Sequence, residues 1–199
     1  MTAAGQQLPT LETSRLSLRP MTRDDASDVV RWRNSPHVAR MMATGRTSLL
    51  TIEEHLDWFE RTRPHRVDYM IELRSEGRPI GTVSLDRGAC PKGARCAESG
   101  RIMGDMEALG QGYSKEAAGR WMRFAFSDLE LDWVFARTRR DNAANLAIGA
   151  ALGFEQRSWP DWLDRPEGVW VFSVLTRSAW THRAATDGSD EPASRGPGS

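Results

Sequence analysis

The sequence predicts a single mixed α/β domain, and three observations carry that prediction. Short runs alternate apolar and polar residues at period two, as in Ser14–Arg19 (SRLSLR), or are continuously apolar, as in Val169–Thr176 (VWVFSVLT). Longer runs place apolar residues three and four apart behind helix-capping residues. The two kinds follow one another as β-α-α-β-β-β-α-β-α-β, with one βαβ crossover at the centre.

Each element has a local cause. Ser14–Arg19 reads as a half-buried strand. Thr22, with Asp25 three residues on, opens a helix carrying Ala26, Val29 and Val30, and Pro36 is expected to stop it. Thr51 and Glu54 form a second capping signature before the stripe Ile52, Leu56 and Phe59, and Pro64 ends that helix. Tyr69–Arg74, a turn at Glu76–Gly77 and Pro79–Asp86 read as a hairpin. Glu98–Met106 is a strand weakened by its glycines. The turn Leu109–Ser114 leads into a helix from Lys115 to about Leu129, striped by Ala118, Trp121, Met122, Ala125 and Leu129. Trp133–Arg139 is a strand, Asn142–Leu152 a helix with Gly153 as its C-cap, and Val169–Thr176 the last strand.

The chain's 199 residues suffice for one domain with a core of its own. Residues 1–10 are expected to be flexible, 11–183 to form the domain, and 184–199, which lack any large apolar side chain, to be a disordered tail. Lys+Arg and Asp+Glu are both 27, a balance that argues against a nucleic-acid binder. Only Lys92 and Lys115 are lysines; the other basic residues are arginine, a bias read as genomic composition. The opening residues hold no apolar signal region, and no run approaches the ~18 apolar residues of a membrane span. A soluble cytoplasmic protein is therefore expected. Cys90 and Cys96 read as free loop thiols in preference to a small disulfide loop. With no histidine at ligand spacing near them, no metal site is expected.

The stretch Leu109–Ala117 (LGQGYSKEA) carries the chemistry. A strand, a glycine turn and a helix in succession put unsatisfied amides and the positive end of the helix dipole at one point. Gly110 and Gly112 allow an anion to approach the backbone. The stretch lacks the Walker loop, the dinucleotide fingerprint and the nucleophile elbow. A plain βα turn that needs glycine only for its geometry is the alternative.

The turn Leu109-Gly110-Gln111-Gly112-Tyr113-Ser114 resembles the Gln/Arg-x-x-Gly-x-Gly/Ala motif of the GNAT acyltransferase superfamily. Two further segments support the resemblance. Asp141-Asn142-Ala143-Ala144-Asn145, followed by Leu152-Gly153-Phe154-Glu155, is similar to the superfamily's Asn-x-x-Ser/Ala helix ending in Leu-Gly-Phe. Leu11-Glu12-Thr13-Ser14-Arg15-Leu16 resembles a first strand common in the branch of ribosomal-protein N-terminal acetyltransferases. Together they span about residues 11 to 180. The resemblance implies a mixed central sheet of six to seven strands flanked by four helices, and acetyl-CoA as co-substrate. It implies that Leu109, Gly110, Gln111, Gly112, Tyr113 and Ser114 hold the pyrophosphate. The strand edge Ile102, Met103, Gly104 and Asp105 would meet the pantetheine arm and supply an oxyanion N–H, and Asn142 and Asn145 would lie on the cofactor side. Two positions depart from the pattern: Leu109 stands where Arg or Gln is usual, and Gly149 where many relatives carry a tyrosine proposed to protonate the leaving thiolate.

The reaction implied is acetyl transfer to a primary amine by direct attack in a ternary complex, which needs a base for the ammonium. Glu98 is the first choice, with an exposed strand-end charge as its alternative reading; His55 is second and Asp105 third, the latter also read as a turn cap. Trp32, Arg33 and Asn34, with His55 and Trp58, resemble a subgroup acting on nucleotide-linked amino sugars. Stacking by Trp and phosphate binding by Arg make that plausible, and core packing with a solvated arginine face is the other reading. Trp159 and Trp162 are expected to rim a pocket. A protein or peptide N-terminus, an antibiotic or metabolite amine, and a non-catalytic acyl-CoA-binding module stand as alternatives. The expected partner is a small-molecule amine, and the assembly a monomer or a homodimer.

Overall fold

The computed structural model describes residues 8–42, 48–166 and 168–187. Eight strands form one sheet in the order β1-β2-β3-β4-β5-β6-β8-β7. They are β1 (Leu11–Glu12), β2 (Leu16–Pro20), β3 (Arg66–Leu73), β4 (Arg78–Asp86), β5 (Cys96–Met103), β6 (Trp133–Arg139), β7 (Glu155–Arg157) and β8 (Trp170–Thr176). The helices are α1 (Ala26–Asn34), α2 (Pro36–Ala39), α3 (Ile52–Thr62), α4 (Tyr113–Arg123), α5 (Ala143–Leu152) and α6 (Arg177–Asp187). The sheet exceeds the expected six to seven strands because β1 has two residues and β7 three exposed ones, too short for periodicity to show.

Every neighbouring pair is antiparallel except β5 and β6, the two strands joined through α4. The main core lies between the sheet and α4. Trp121, Phe124 and Tyr69 stack within it, and the Trp121 indole N–H donates to Ser84 O at 3.1 Å. α1 and α3 cover the opposite face of β3–β5. Both helix starts use the expected caps: Asp25 accepts from the Thr22 amide at 2.8 Å, and Thr51 and Glu54 exchange bonds at 2.8 and 3.1 Å.

Several expectations are corrected. Pro36 ends α1 but opens α2, since at the first helical position proline loses no hydrogen bond. The buried face of α3 is His55 and Phe59, while Ile52 is exposed. After α4 the chain continues as a π-turn over Phe124–Asp128. α6, absent from the sequence reading, carries helix to Asp187, four residues past the expected domain end. The remainder of the expected tail, and residues 1–7 of the expected flexible start, lie outside the described residues. Cys90 and Cys96 form a disulfide, with Cα atoms 6.0 Å apart, rather than free thiols. Successive turns, Cys90 N–H to Arg87 O and Ala94 N–H to Pro91 O, fold the loop back onto the first residue of β5.

Candidate active site

The site is organised by a gap in the sheet. β5 and β6 pair only at Cys96–Glu98 against Trp133–Phe135, and the strands then part. Residues 99–103 of β5 keep β4 on one side and have no β6 partner on the other. Alternation sends successive side chains of both strands to opposite faces. Ser99, Arg101, Ala136 and Thr138 line a cavity of about 70 Å³ on the α4/α5 side. Glu98, Gly100, Ile102 and Arg137 line a larger one, about 480 Å³, under α1 and α3. The two cavities face each other across one gap.

The glycine turn opens α4, the helix whose Ala118 and Met122 line the first cavity. Gly110 and Gly112 have φ of +76° and +81°, left-handed values that an L side chain adopts only at a cost. The first amides bonded inside α4 are those of Lys115 and Glu116, both to Gly112 O, so the amides preceding them face outward. Gly110, Gln111 and Gly112 are exposed, with Tyr113 and Ser114 half-buried behind them and Leu109 partly covered. Arg15, which the sequence reading did not single out, clamps this turn. It donates to Gln111 O at 3.0 Å and to Glu116 at 2.7 Å, and lies 4.5 Å over the Tyr113 ring. The residues present fit a pyrophosphate: open amides, two glycines without side chains, and a cation beside them.

The strand edge differs from its expected form. The amides of Gly104 and Asp105 both donate to Ile80 O, at 2.9 and 3.1 Å, so they are not available as oxyanion donors. The open edge is 99–103, including Ile102 and Met103. Asp105 accepts from the Glu107 amide at 2.9 Å and pairs with Arg78; it caps a turn and is no base. Asn142 is the N-cap of α5, accepting from the Asn145 amide at 3.1 Å. Asn145 reaches the cavity, with its amide group between Thr138 Oγ1 at 3.2 Å and the Arg101 guanidinium. Gly149, one turn on, lines the same wall.

On the acceptor side the five expected residues divide. Arg33, His55 and Trp58 line the larger cavity. Trp32 does not. It is 2% exposed and packs on the bare backbone of Gly104, where an added Cβ would fall 2.0 Å from the ring. Asn34 is also structural, with its side-chain amide donating to Leu50 O and accepting from Leu50 N, each at 2.8 Å. Trp58 lies between two guanidinium groups, Arg33 at 5.4 Å and Arg66 at 4.8 Å. His55 is 2% exposed, and burial, then the nearby Arg33 charge, pushes its pKa down to about 4. It is therefore neutral at pH 7 and too weak a base for the second role assigned to it. Trp159 and Trp162 pack over Phe172 on β8; their loop reaches the rim through Asp164, Arg165 and Pro166 instead.

The floor of this cavity is charged. Glu98 receives two bonds from Arg137, both at 2.7 Å. Arg66 holds both oxygens of Asp68 at 3.0 Å and reaches Asp86 at 3.3 Å, and His65 meets Asp86 at 2.9 Å. Burial pushes the Asp68 carboxyl above its ordinary range despite Arg66. Asp68, Asp86, Arg66 and Arg137 were not singled out from sequence. The alternating Arg66-Val67-Asp68 was the available signal, since charges on a strand beside apolar residues mark a polar face over a covered sheet.

A glycine turn at a helix start, an open strand gap and a charged pocket on the other face are features that an acyltransferase needs: a place for an anionic donor, an edge for its arm and a pocket for an acceptor. Residues 15–155 match the acetyltransferase (GNAT) domain family, and the chain belongs to it. It is an acetyl-CoA-dependent N-acetyltransferase. An uncharacterized N-acetyltransferase, p20 of Bacillus licheniformis, is 23% identical over 179 residues, spanning 85% of this chain and 98% of that protein. Among solved structures, spermidine N-acetyltransferase from Vibrio cholerae, in complex with CoA and spermine, superposes with a TM-score of 0.72 at 16% identity, covering 85% of this chain and 99% of that one. Ribosomal-protein-S5-alanine acetyltransferase from Vibrio fischeri gives 0.69 at 19% identity, covering 87% and 99%. The resemblance to a nucleotide-amino-sugar subgroup is not supported by these relatives, and of the two tryptophans on which it relied, burial removes Trp32 and leaves Trp58 on the cavity wall. Among the described residues no helix is long and apolar enough to cross a membrane.

Proposed function

We propose that the enzyme acetylates the primary amine of a small molecule that enters the 480 Å³ cavity and meets the thioester across the β5/β6 gap. The observation that carries this reading is the pair of cavities lined by alternate residues of the same two strands. The glycine turn would hold the pyrophosphate and the open edge 99–103 the pantetheine arm; bound acetyl-CoA supplies an activated acetyl carbon. Glu98, on the acceptor side of the gap, holds the incoming ammonium and passes its proton to water. Its two bonds to Arg137 fix its position and make it a weaker direct base.

Charge narrows the acceptor. The cavity carries Arg33, Arg66, Arg137 and Arg165 against Asp68, Asp86, Glu98 and Asp164. A site of balanced charge does not suit a polycation such as a polyamine, and favours an amine that also carries a neutral or acidic group. The test is a panel of spermidine, amino acids and their amides, amino sugars and short peptides. CoA thiol release is followed and products are identified by mass spectrometry. Turnover of an amino-acid-like or other small near-neutral amine above spermidine and peptides supports the proposal. Preference for spermidine or a peptide N-terminus refutes it and leaves the family assignment intact.

A further inference from the structure

The smaller cavity holds a charge that the reading above does not use. Arg101 projects from β5 into it, and among the fourteen residues on that wall it is the only ionisable one. Its one hydrogen-bond partner among the described residues is the side-chain oxygen of Asn145. A guanidinium has five N–H donors and seldom goes into a protein without a carboxylate. Among the described residues no carboxylate offsets this one: burial lowers its pKa to about 10, which still leaves it charged at neutral pH. The residue keeps part of its surface open, as its place on a cavity wall requires. Asn145 is itself fixed, by Thr138 and by the α5 cap, so the guanidinium is aimed by two elements at once.

What negative charge would arrive there follows from the reaction. The donor runs from the glycine turn toward the gap, and the acceptor waits on the other face beside Glu98. The bond that breaks is therefore at the gap. The amine nitrogen attacks the acetyl carbon, the C–S bond breaks, and its electron pair stays on sulfur. The amine's proton goes to water on the Glu98 side. A thiolate is thus left on the α4/α5 side, where α5 presents Gly149 and so has no side chain able to donate a proton. We propose that Arg101, positioned by Asn145, is the group that stabilises the CoA thiolate as it leaves. It acts as a fixed cation and gives up no proton; the sulfur is protonated after release. The proposal rests on the cofactor site described above.

The direct test is titration of the CoA thiol while bound, followed by the ultraviolet absorbance of the thiolate, with affinity measured by calorimetry. Free CoA, titrated under the same conditions, is the reference. On the wild-type protein the bound thiol should titrate at least one pH unit below free CoA, and Arg101→Met should return it to the free value while CoA still binds. Arg101→Lys should retain part of the shift, and Asn145→Ala, which leaves the cation without its aim, should lose part of it. In turnover, Arg101→Met should lower kcat about tenfold or more, with KM for acetyl-CoA little changed. An unshifted thiol on the wild-type protein overturns the proposal without involving any variant. Loss of CoA binding in a folded Arg101→Met protein also overturns it, because Arg101 would then be holding the cofactor. So does a variant that loses only acyl-CoAs ending in a carboxylate, because the guanidinium would then be an acyl-group receptor. Failure of the wild-type protein to bind CoA at all would instead refute the cofactor site.

Discussion

Replacing Gly112 with valine separates the two things a left-handed glycine does in the phosphate turn. The protein around it does not forbid a side chain, since the nearest atom to an added Cβ is Arg15 Nη2 at 3.5 Å, an ordinary contact. The backbone does: φ of +81° costs a β-branched residue ~1–3 kcal/mol in the free protein. The second effect is on the ligand, because the Cβ and its methyls occupy the space an oxygen needs to reach the amides. The two effects are distinguished with a control. Gly77, at the β3–β4 turn, has φ of +63° and nothing within 4 Å of its Cβ, so Gly77→Val incurs a similar backbone strain outside the glycine turn. Acetyl-CoA at one hundred times its dissociation constant stabilises a protein that binds it by ~2.7 kcal/mol, or about 5–10 °C in Tm for a chain of this length. Thermal melts with and without acetyl-CoA should show both variants destabilised alone, the Gly77 variant keeping the full ligand shift and the Gly112 variant losing most of it. An undiminished shift in Gly112→Val would refute the assignment of this turn to the pyrophosphate.

Three other outcomes are expected. Glu98→Gln should lower kcat about 10²-fold with acetyl-CoA affinity retained, and the deficit should shrink at high pH where the amine arrives neutral; an unchanged rate and pH profile would exclude Glu98 from the water-relayed deprotonation of the ammonium. Reducing the Cys90–Cys96 bond opens a loop with a sequence separation of 6, worth about 2 kcal/mol on chain entropy; melts with and without reductant should differ by about 4–8 °C, and coincident melts would argue against the bond. His55 has a folded pKa near 4 against an ordinary 6.5, so between those values the unfolded chain binds the extra proton. Its contribution is thus full above about pH 6.5 and is lost as the pH falls toward 4, on the order of 3 kcal/mol. His55→Phe should flatten that part of the stability curve, and an unaltered acid limb in denaturant titrations would place the titration elsewhere.

What the sequence disclosed and what it concealed have different physical origins. The glycine turn, the capped helix starts and the strand alternation depend on local geometry, and each was legible within about ten residues. The role of Trp32 was not, because its burial depends on the missing side chain of Gly104, some seventy positions away. An aromatic beside arginine and asparagine reads equally as a stacking platform or as core. Asn34 was misread for the same reason: its partner is the backbone of Leu50, 16 positions on. Arg101 lies in a strand whose glycines blur the period, and only the tertiary placement of α5 shows that it is covered and, among the described residues, paired with no acid. α6 escaped because Arg177–Asp187 carries too few apolar residues to trace a stripe.

The position of the chemistry follows from one departure in an otherwise antiparallel sheet. Antiparallel strands can turn back through a few residues, whereas a parallel pair needs a crossover, and here that crossover is α4. A helix that leaves the end of β5 begins near that end, so its open amides stand above the same stretch where β5 loses its partner. The glycine turn and the sheet gap are therefore two consequences of one connection. The gap in turn makes a divided site possible, because alternation along β5 puts Glu98 on one face and Arg101 on the other without any loop having to place them. In the proposed reaction a carboxylate for the arriving ammonium and a cation for the departing thiolate therefore occupy opposite faces of one strand. Because both belong to one strand, they are held at a fixed spacing by the sheet itself.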